Sequence, residues 1–258
     1  MRVTFVTLFP EMIEPVVSAS ILGRATDSGA FVVDVVQLRD FSTNKHHTVD
    51  DAPAGGGAGM VLRVDVVVGA LRAVLERNPV ARDRTRVVLP DARGRPFGQS
   101  TARTWAKDVD HLVFVCGRYE GVDARVFDFV DDVVSTGDIV LTGGELPALL
   151  MSDAVVRLLP GVLGNAESSR HESHGDDGLL EHRHYTRPVD FEGRALPAVL
   201  SSGNHALIAK ARAKDALLLT RRHRPDLFVQ RARTKGEQKL LDDERLAGLN
   251  PVLSEPEG

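Results

Sequence analysis

The sequence predicts an α/β fold built on a mostly parallel sheet, and three observations support it. Apolar runs of strand length alternate with segments of helical spacing from Val3 to Leu159. Glycine-rich turns follow two of those runs, where the carboxyl ends of parallel strands carry ligand sites. A polar stretch without either apolar period, Gly164 to Gly178, then separates this part from a shorter one that is helical and rich in Lys and Arg. The expected division is an α/β domain at 1–163, a flexible linker at 164–178 and a basic helical domain with a loose tail at 179–258.

Val3 to Leu8 reads as a buried strand closed by Phe9-Pro10, and Pro10 to Ala19 as a helix with proline in its first turn. A short second helix ends at Gly29 and Phe31 to Leu38 is the next strand, a βαβ beginning. Asp40 to Met60 has no period, and so long an irregular stretch inside a compact domain tends to be functional. His46 and His47 within it lack helical ligand spacing, so no metal is expected there. Val64 to Glu76 is an amphipathic helix, Arg86 to Leu89 a strand and Pro90 to Arg95 its exit loop. Ser100 is placed to cap a helix to Asp108, and His111 to Cys116 is a strand. Val133-Val134 and Ile139 to Leu141 are further apolar runs, and Pro147 opens a helix to Leu159, stopped by Pro160-Gly161. Ser201 to His205 caps a helix to about Thr220, and Pro225 to Arg233 and Glu237 to Leu246 are shorter helices.

With 43% apolar and 26% charged residues the chain has the composition of an ordinary globular protein. Its single cysteine, Cys116, excludes an internal disulfide and a cysteine-built zinc site. No apolar run approaches the roughly 18 residues of a membrane span, and the start runs directly into a strand pattern without a signal-peptide pattern, so a cytoplasmic location is expected. The net charge of −4 argues against a nucleic-acid partner, but the distribution reverses that reading. Between His205 and Lys239 ten Lys and Arg stand against three acids, with Arg221-Arg222-His223-Arg224 at the centre, the footprint of a phosphate-binding surface or else a solvated helix face.

The two glycine stretches, Cys116-Gly117-Arg118-Tyr119-Glu120-Gly121 and Ser135 to Pro147, put bare backbone beside two strand ends. A flat ligand approaching that backbone is one reading, with Glu120 and Glu145 as carboxylates at the rim. Tight turns and helix caps are the other. Phosphate-loop spacing and Gly-x-Gly-x-x-Gly are both absent, which points away from nucleoside triphosphates and dinucleotides.

Phe9-Pro10-Glu11-Met12, Arg39-Asp40-Phe41, Thr48-Val49-Asp50-Asp51, Gly55 to Met60, Cys116 to Gly121, Gly143-Gly144-Glu145-Leu146-Pro147, Pro160 to Gly164, His184-Tyr185-Thr186-Arg187-Pro188 and Ser202-Gly203-Asn204-His205 occur in the order seen in a known family. They closely resemble the bacterial tRNA (guanine-N1)-methyltransferases. The resemblance implies an S-adenosylmethionine-dependent enzyme of the SPOUT class, with a deep trefoil knot in the first domain. It also implies a homodimer whose active site is shared between subunits, and a tRNA substrate methylated at N1 of the guanosine just 3′ of the anticodon, position 37.

By position, the resemblance places Gly117, Thr136, Gly137, Asp138, Ile139, Val140 and Leu141 around the cofactor, with Leu89, Pro90, Tyr119, Glu120, Gly143 and Gly144 completing the pocket. Glu120 matches the carboxylate for Mg2+, which supports the reaction in the family. Arg157 matches the arginine placed for guanine O6. The family's base, an aspartate, falls on Glu172, one methylene longer; Asp176 and Asp177 are the alternatives. Pro90 to Arg95 also departs from the family's Ser-Pro-Gln-Gly pattern. The competing readings are an RNA-binding protein that kept the fold without the chemistry, and methyl transfer to a ribose 2′-hydroxyl.

Overall fold

The structure is a computed structural model that describes residues 1–78, 80–164, 172–243 and Leu246. The chain divides into two compact units, Met1–Gly164 and Asn165–Gly258. Asn165 to His171, the first half of the expected linker, lie outside the described residues.

In the first unit β1 (Arg2–Thr7), α1 (Pro10–Val17), α2 (Ser20–Asp27) and β2 (Val32–Gln37) follow the expected order. The irregular stretch contains a 3-10 turn at Leu38–Phe41 and the small antiparallel pair β3 (Asp50–Asp51) and β4 (Val61–Leu62). Then come α3 (Val64–Arg77), β5 (Thr85–Pro96), α4 (Gln99–Asp108), β6 (His111–Val115), β7 (Asp132–Ser135) and α5 (Glu145–Val156). Five strands form one parallel sheet in the order β2-β1-β6-β5-β7.

Alternation along the strands decides which side chains go where, because neighbours on a strand point to opposite faces. Val3, Phe5, Leu112 and Phe114 join one buried cluster with residues of α1, α2, α4 and α5. Val6, Val113, Val115, Val87 and Leu89 join the other with α3. Both faces of the sheet are covered, as an all-parallel sheet requires.

Several boundaries in the first unit differ from the sequence reading. The strand expected to stop at Leu89 runs on to Pro96: Pro90 and Arg95 both pair with Val134, so Asp91 to Gly94 bulge out and the chain rejoins the same partner. Gly94 enables the return, since a Cβ there would lie 2.6 Å from the Val133 carbonyl carbon. The α4 cap is Gly98 and not Ser100, which sits inside the first turn, and α5 begins at Glu145, two residues before Pro147. Ile139 to Leu141 form no strand and are exposed, Val140 by 90%.

The second unit has a two-residue hairpin absent from the sequence reading, β8 (Asp190–Phe191) and β9 (Arg194–Ala195), then α6 (His205–His223), α7 (Pro225–Gln230) and α8 (Lys235–Asp242). The Asn204 side chain caps α6 by accepting from the Leu207 N–H, and Thr234 with Glu237 forms a capping box on α8. Leu179, Leu217 and Phe228 form its small core. Buried Asp215 accepts hydrogen bonds from the Arg183 N–H and guanidinium, which spares it the cost of an unpaired buried charge.

His111, at the start of β6, is fully buried with Nε2 2.8 Å from Thr4 Oγ1 and Nδ1 unpartnered. Burial, aided by the charge of Arg2 and opposed by Asp34, lowers its pKa to about 4. Below the unfolded histidine value the unfolded chain takes up a proton that the folded one refuses, so stability falls as pH drops from roughly 6.5 towards 4. The expected loss across that window is about 3 kcal/mol, and His111→Leu should flatten this part of the curve; urea titrations at stepped pH measure both.

Candidate active site

Strands β6, β5 and β7 are neighbours running the same way, so their carboxyl ends open onto one edge of the sheet. The bulge within β5, Pro90 to Arg93, and the segments after β6 and β7, Gly117 to Val122 and Ser135 to Gly144, enclose a cleft of about 260 Å³. This is the position at which open α/β sheets take ligands.

The floor is held by one buried ion pair. Glu145, fully buried at the first residue of α5, accepts from Thr7 Oγ1 at 2.7 Å, and its Oε2 stands 2.9 Å from Arg118 Nε, at ion-pair distance though out of line for a hydrogen bond. The same guanidinium donates to Thr142 O and Met12 Sδ and lies over the Phe9 ring at 4.3 Å. Arg118 also bridges to Gly143, and the Gly144 N–H donates to Gly117 O at 2.8 Å. Burial, reinforced by the charge of Glu145, pushes the Cys116 thiol far up, so it stays neutral and is no nucleophile.

Around this floor the backbone is set in unusual conformations. Tyr119 has φ +61° and Gly121 φ +115°; Tyr119 is exposed and lines the cleft, and its left-handed backbone costs about 1–3 kcal/mol. Glu120 lies against the glycine loop: its N–H donates to Met60 O, and a Cβ on Gly59 would come within 2.6 Å of its Cγ. In the β5 bulge Arg93 grips Asp91 through two bonds of 2.8 Å, and this pairing, resisted by partial burial, lowers the Asp91 pKa. Ser135 Oγ donates to Gly137 O at the start of the third loop.

Residues 1–230 match the profile of the tRNA (guanine-1)-methyltransferase TrmD family. The chain belongs to that family. Among curated proteins of this family, one from Lactobacillus helveticus is 48% identical over 243 residues, covering 94% of this chain and 98% of its own. One from Myxococcus xanthus is 48% identical over 239 residues, covering 93% and 95%. One from Rhizobium etli is 50% identical over 228 residues, covering 88% and 95%. All three carry the name tRNA (guanine-N(1)-)-methyltransferase.

Of the residues that the family resemblance pointed to, Leu89, Pro90, Gly117, Tyr119, Glu120, Thr136, Ile139, Val140, Leu141, Gly143 and Gly144 line the cleft. Gly137 and Asp138 belong to the same loop but do not line it. Glu145 is not a rim carboxylate, because Arg118 and Thr7 hold it in the interior. Arg157 stands at the opposite end of α5, about 20 Å of helical rise from Gly144, so a single chain does not bring it to the cleft. Glu172 is half-buried in the second unit, where its carbonyl accepts from the Gly175 N–H. Asp177 is engaged locally, its Oδ1 accepting from the Leu179 N–H. His46 and His47 join no third metal-ligating side chain among the described residues.

Asp91, Arg93 and Arg118 line the cleft without having been singled out. Arg118 was within reach, since it lies inside the glycine motif, whereas Asp91 and Arg93 depend on the bulge.

The glycines divide by what a side chain would strike. At Gly144 a Cβ would lie 2.8 Å from Cys116 Cα and 2.9 Å from the Gly117 nitrogen, and at Gly143 it would lie 2.6 Å from Arg118 Cδ. At Gly137 it would meet nothing within 4 Å, although φ +134° disfavours any side chain there. Gly144→Ala should therefore part β6 from α5 and lower both stability and ligand affinity. Arg118→Met, which leaves the buried Glu145 carboxylate uncompensated, should cost about 3–5 kcal/mol in denaturant titrations, and less than 1 kcal/mol would show that the pair does not brace the cleft.

Proposed function

We propose that this protein is a tRNA (guanine(37)-N1)-methyltransferase that takes its methyl group from S-adenosylmethionine, a cytoplasmic homodimer with the knotted SPOUT fold. The observation that carries the reading is the cleft itself, at the carboxyl edge of three parallel strands, in a chain that matches the family over residues 1–230. The cleft suits a flat, weakly charged ligand. A Cβ on Gly117 would meet only Val122 at 3.7 Å, and one on Gly121 nothing within 4 Å, so main chain is accessible there. Exposed Ile139 and Leu141 offer apolar surface for ring faces, and the buried Leu89 and Pro90 back the wall.

When bound there, S-adenosylmethionine supplies an electrophilic methyl group. The chain must manage the proton on guanine N1 and the negative charge that builds on O6 as it leaves. Glu172 accepts that proton and Arg157 balances the charge. Glu120, an exposed carboxylate on the cleft wall that leaves Arg118 to Glu145, is the residue to hold Mg2+.

The position of Arg157 supports a site completed by a second copy. So do exposed Leu146 and Leu150, one turn apart on α5, beside the bare Ile139-Val140-Leu141 loop, an apolar surface of the kind homodimers cover. The tRNA surface is smaller than the sequence count suggests. Lys214 is buried with Nζ on Asp243 O, Arg231 is paired with Glu237 and Arg224 with Asp226. Lys210, Arg212, Arg221, Arg233, Lys235 and Lys239 are exposed for phosphates.

Incubation with labelled S-adenosylmethionine and an unmodified tRNA transcript, followed by nucleoside mapping, should give N1-methylguanosine at position 37; a 2′-O-methyl product or none would overturn the reading. Glu172→Gln should retain cofactor binding while single-turnover transfer falls roughly 10²- to 10⁴-fold.

Sharing of the site has its own test. Arg157→Ala and a variant with a blocked cofactor cleft, each inactive, should on subunit exchange regain about a quarter of wild-type activity, because half the dimers are mixed and each holds one intact site of two. No recovery would place Arg157 in its own chain's site or outside the site altogether.

A further inference from the structure

In the second unit, Glu181, His182 and His184 bring one donor atom each to within 4.8 Å of the others. His184 Nε2 and Glu181 Oε1 are 2.8 Å apart, and the two imidazole rings are 4.6 Å between centroids. His182 Nε2 is buried and makes no hydrogen bond, a state that costs a polar atom its hydration without return.

We propose that Glu181, His182 and His184 form a binding site for a divalent transition-metal ion, with Zn2+ as the best match. Two imidazoles and one carboxylate are the donor set that zinc accepts with a fourth position left for water, whereas Mg2+ and Ca2+ favour oxygen ligands throughout. Tetrahedral coordination at Zn–N distances near 2.0–2.1 Å needs donors roughly 3.3 Å apart, so separations of up to 4.8 Å close by side-chain rotation. The ion would engage the orphaned His182 nitrogen and replace the proton between His184 and Glu181.

The backbone bearing the three ligands is already fixed. The Leu180 N–H donates to Thr220 Oγ1 at 2.8 Å, the Glu181 N–H to Ser173 Oγ at 2.9 Å and the Arg183 N–H to Asp215 Oδ2 at 2.8 Å. Such pinning lowers the ordering cost of binding. The Arg183 charge is neutralised by Asp215, which leaves Arg212 of α6 as an opposing cation beside His182 and keeps the affinity moderate. Ser173 follows Glu172, so a bound ion also braces the turn that carries Glu172.

The test uses the full chain without a histidine tag, stripped by a chelator and titrated with Zn2+ against a chromophoric competitor. One ion per chain is expected, with affinity in the micromolar range or tighter, and Co2+ should give the visible absorption of a four-coordinate site. His184→Ala should weaken Zn2+ binding at least roughly tenfold and abolish the Co2+ band. The His184 side chain is 66% exposed, so its removal spares the fold, and an unchanged melting temperature verifies this. His46→Ala should change nothing. Equal Zn2+ binding by the wild type and His184→Ala, or none by the wild type at about 10 µM, would overturn the proposal.

Discussion

The cleft depends on a carboxylate placed where water cannot reach it. Glu145 is tolerated in the interior because Arg118 balances its charge, Thr7 donates to it, and it stands at the amino end of α5, where the helix dipole favours an anion. Those contacts join the end of β1, the exit of β6 and the start of α5. The arginine in turn reaches Phe9, Met12 and Thr142, so one guanidinium spans four segments of the first unit. Gly143 and Gly144 follow as a consequence, since side chains at either position would collide with the guanidinium or with the backbone of Cys116 and Gly117. Glycines that look, in sequence, like room for a ligand are here partly room for the protein's own brace.

Much of the sheet could be read in advance, because short apolar runs divided by helical spacing admit few arrangements, and β1, β2 and β6 lie within a residue or so of the expected spans. The rule that ligands gather at the carboxyl ends of parallel strands found the three loops. What could not be read depends on partners distant in sequence. Proline, aspartate and glycine in Pro90 to Gly94 have turn chemistry, and only pairing with Val134 returns the chain to its strand. Glu145 reads as a surface charge until Arg118 is beside it. The hairpin at Asp190 to Ala195 escaped because each strand is two residues long, too short for period two, although Glu192 and Gly193 at φ +53° and +76° make the tight turn that Glu-Gly can form.

The basic tract shows how far a charge count carries. Counted in sequence, ten cations suggest one continuous surface. In the fold, Lys214 anchors the chain near Asp243, and Arg224 and Arg231 serve local ion pairs. A cation already hydrogen-bonded to a carboxylate gives up part of that pairing to meet a phosphate, so exposed Lys210, Arg212 and Arg221 of α6 and Lys235 and Lys239 of α8 dominate any salt-dependent binding.

The cleft holds little that could move a proton. Arg118 is committed to Glu145, Arg93 to Asp91, and the Cys116 thiol is held neutral, which leaves backbone, apolar surface, Tyr119 and Glu120. Such a lining binds and orients a ligand, and Glu120 is the carboxylate it offers outside those pairs. On the proposed reading, acid–base work falls to Glu172 and Arg157, which are not among the lining residues: Arg157 follows the last residue of α5, and Glu172 belongs to the other compact unit. On that reading the cofactor wall is braced in advance by Glu145 and Arg118, and the groups that manage proton and charge come from other parts of the protein.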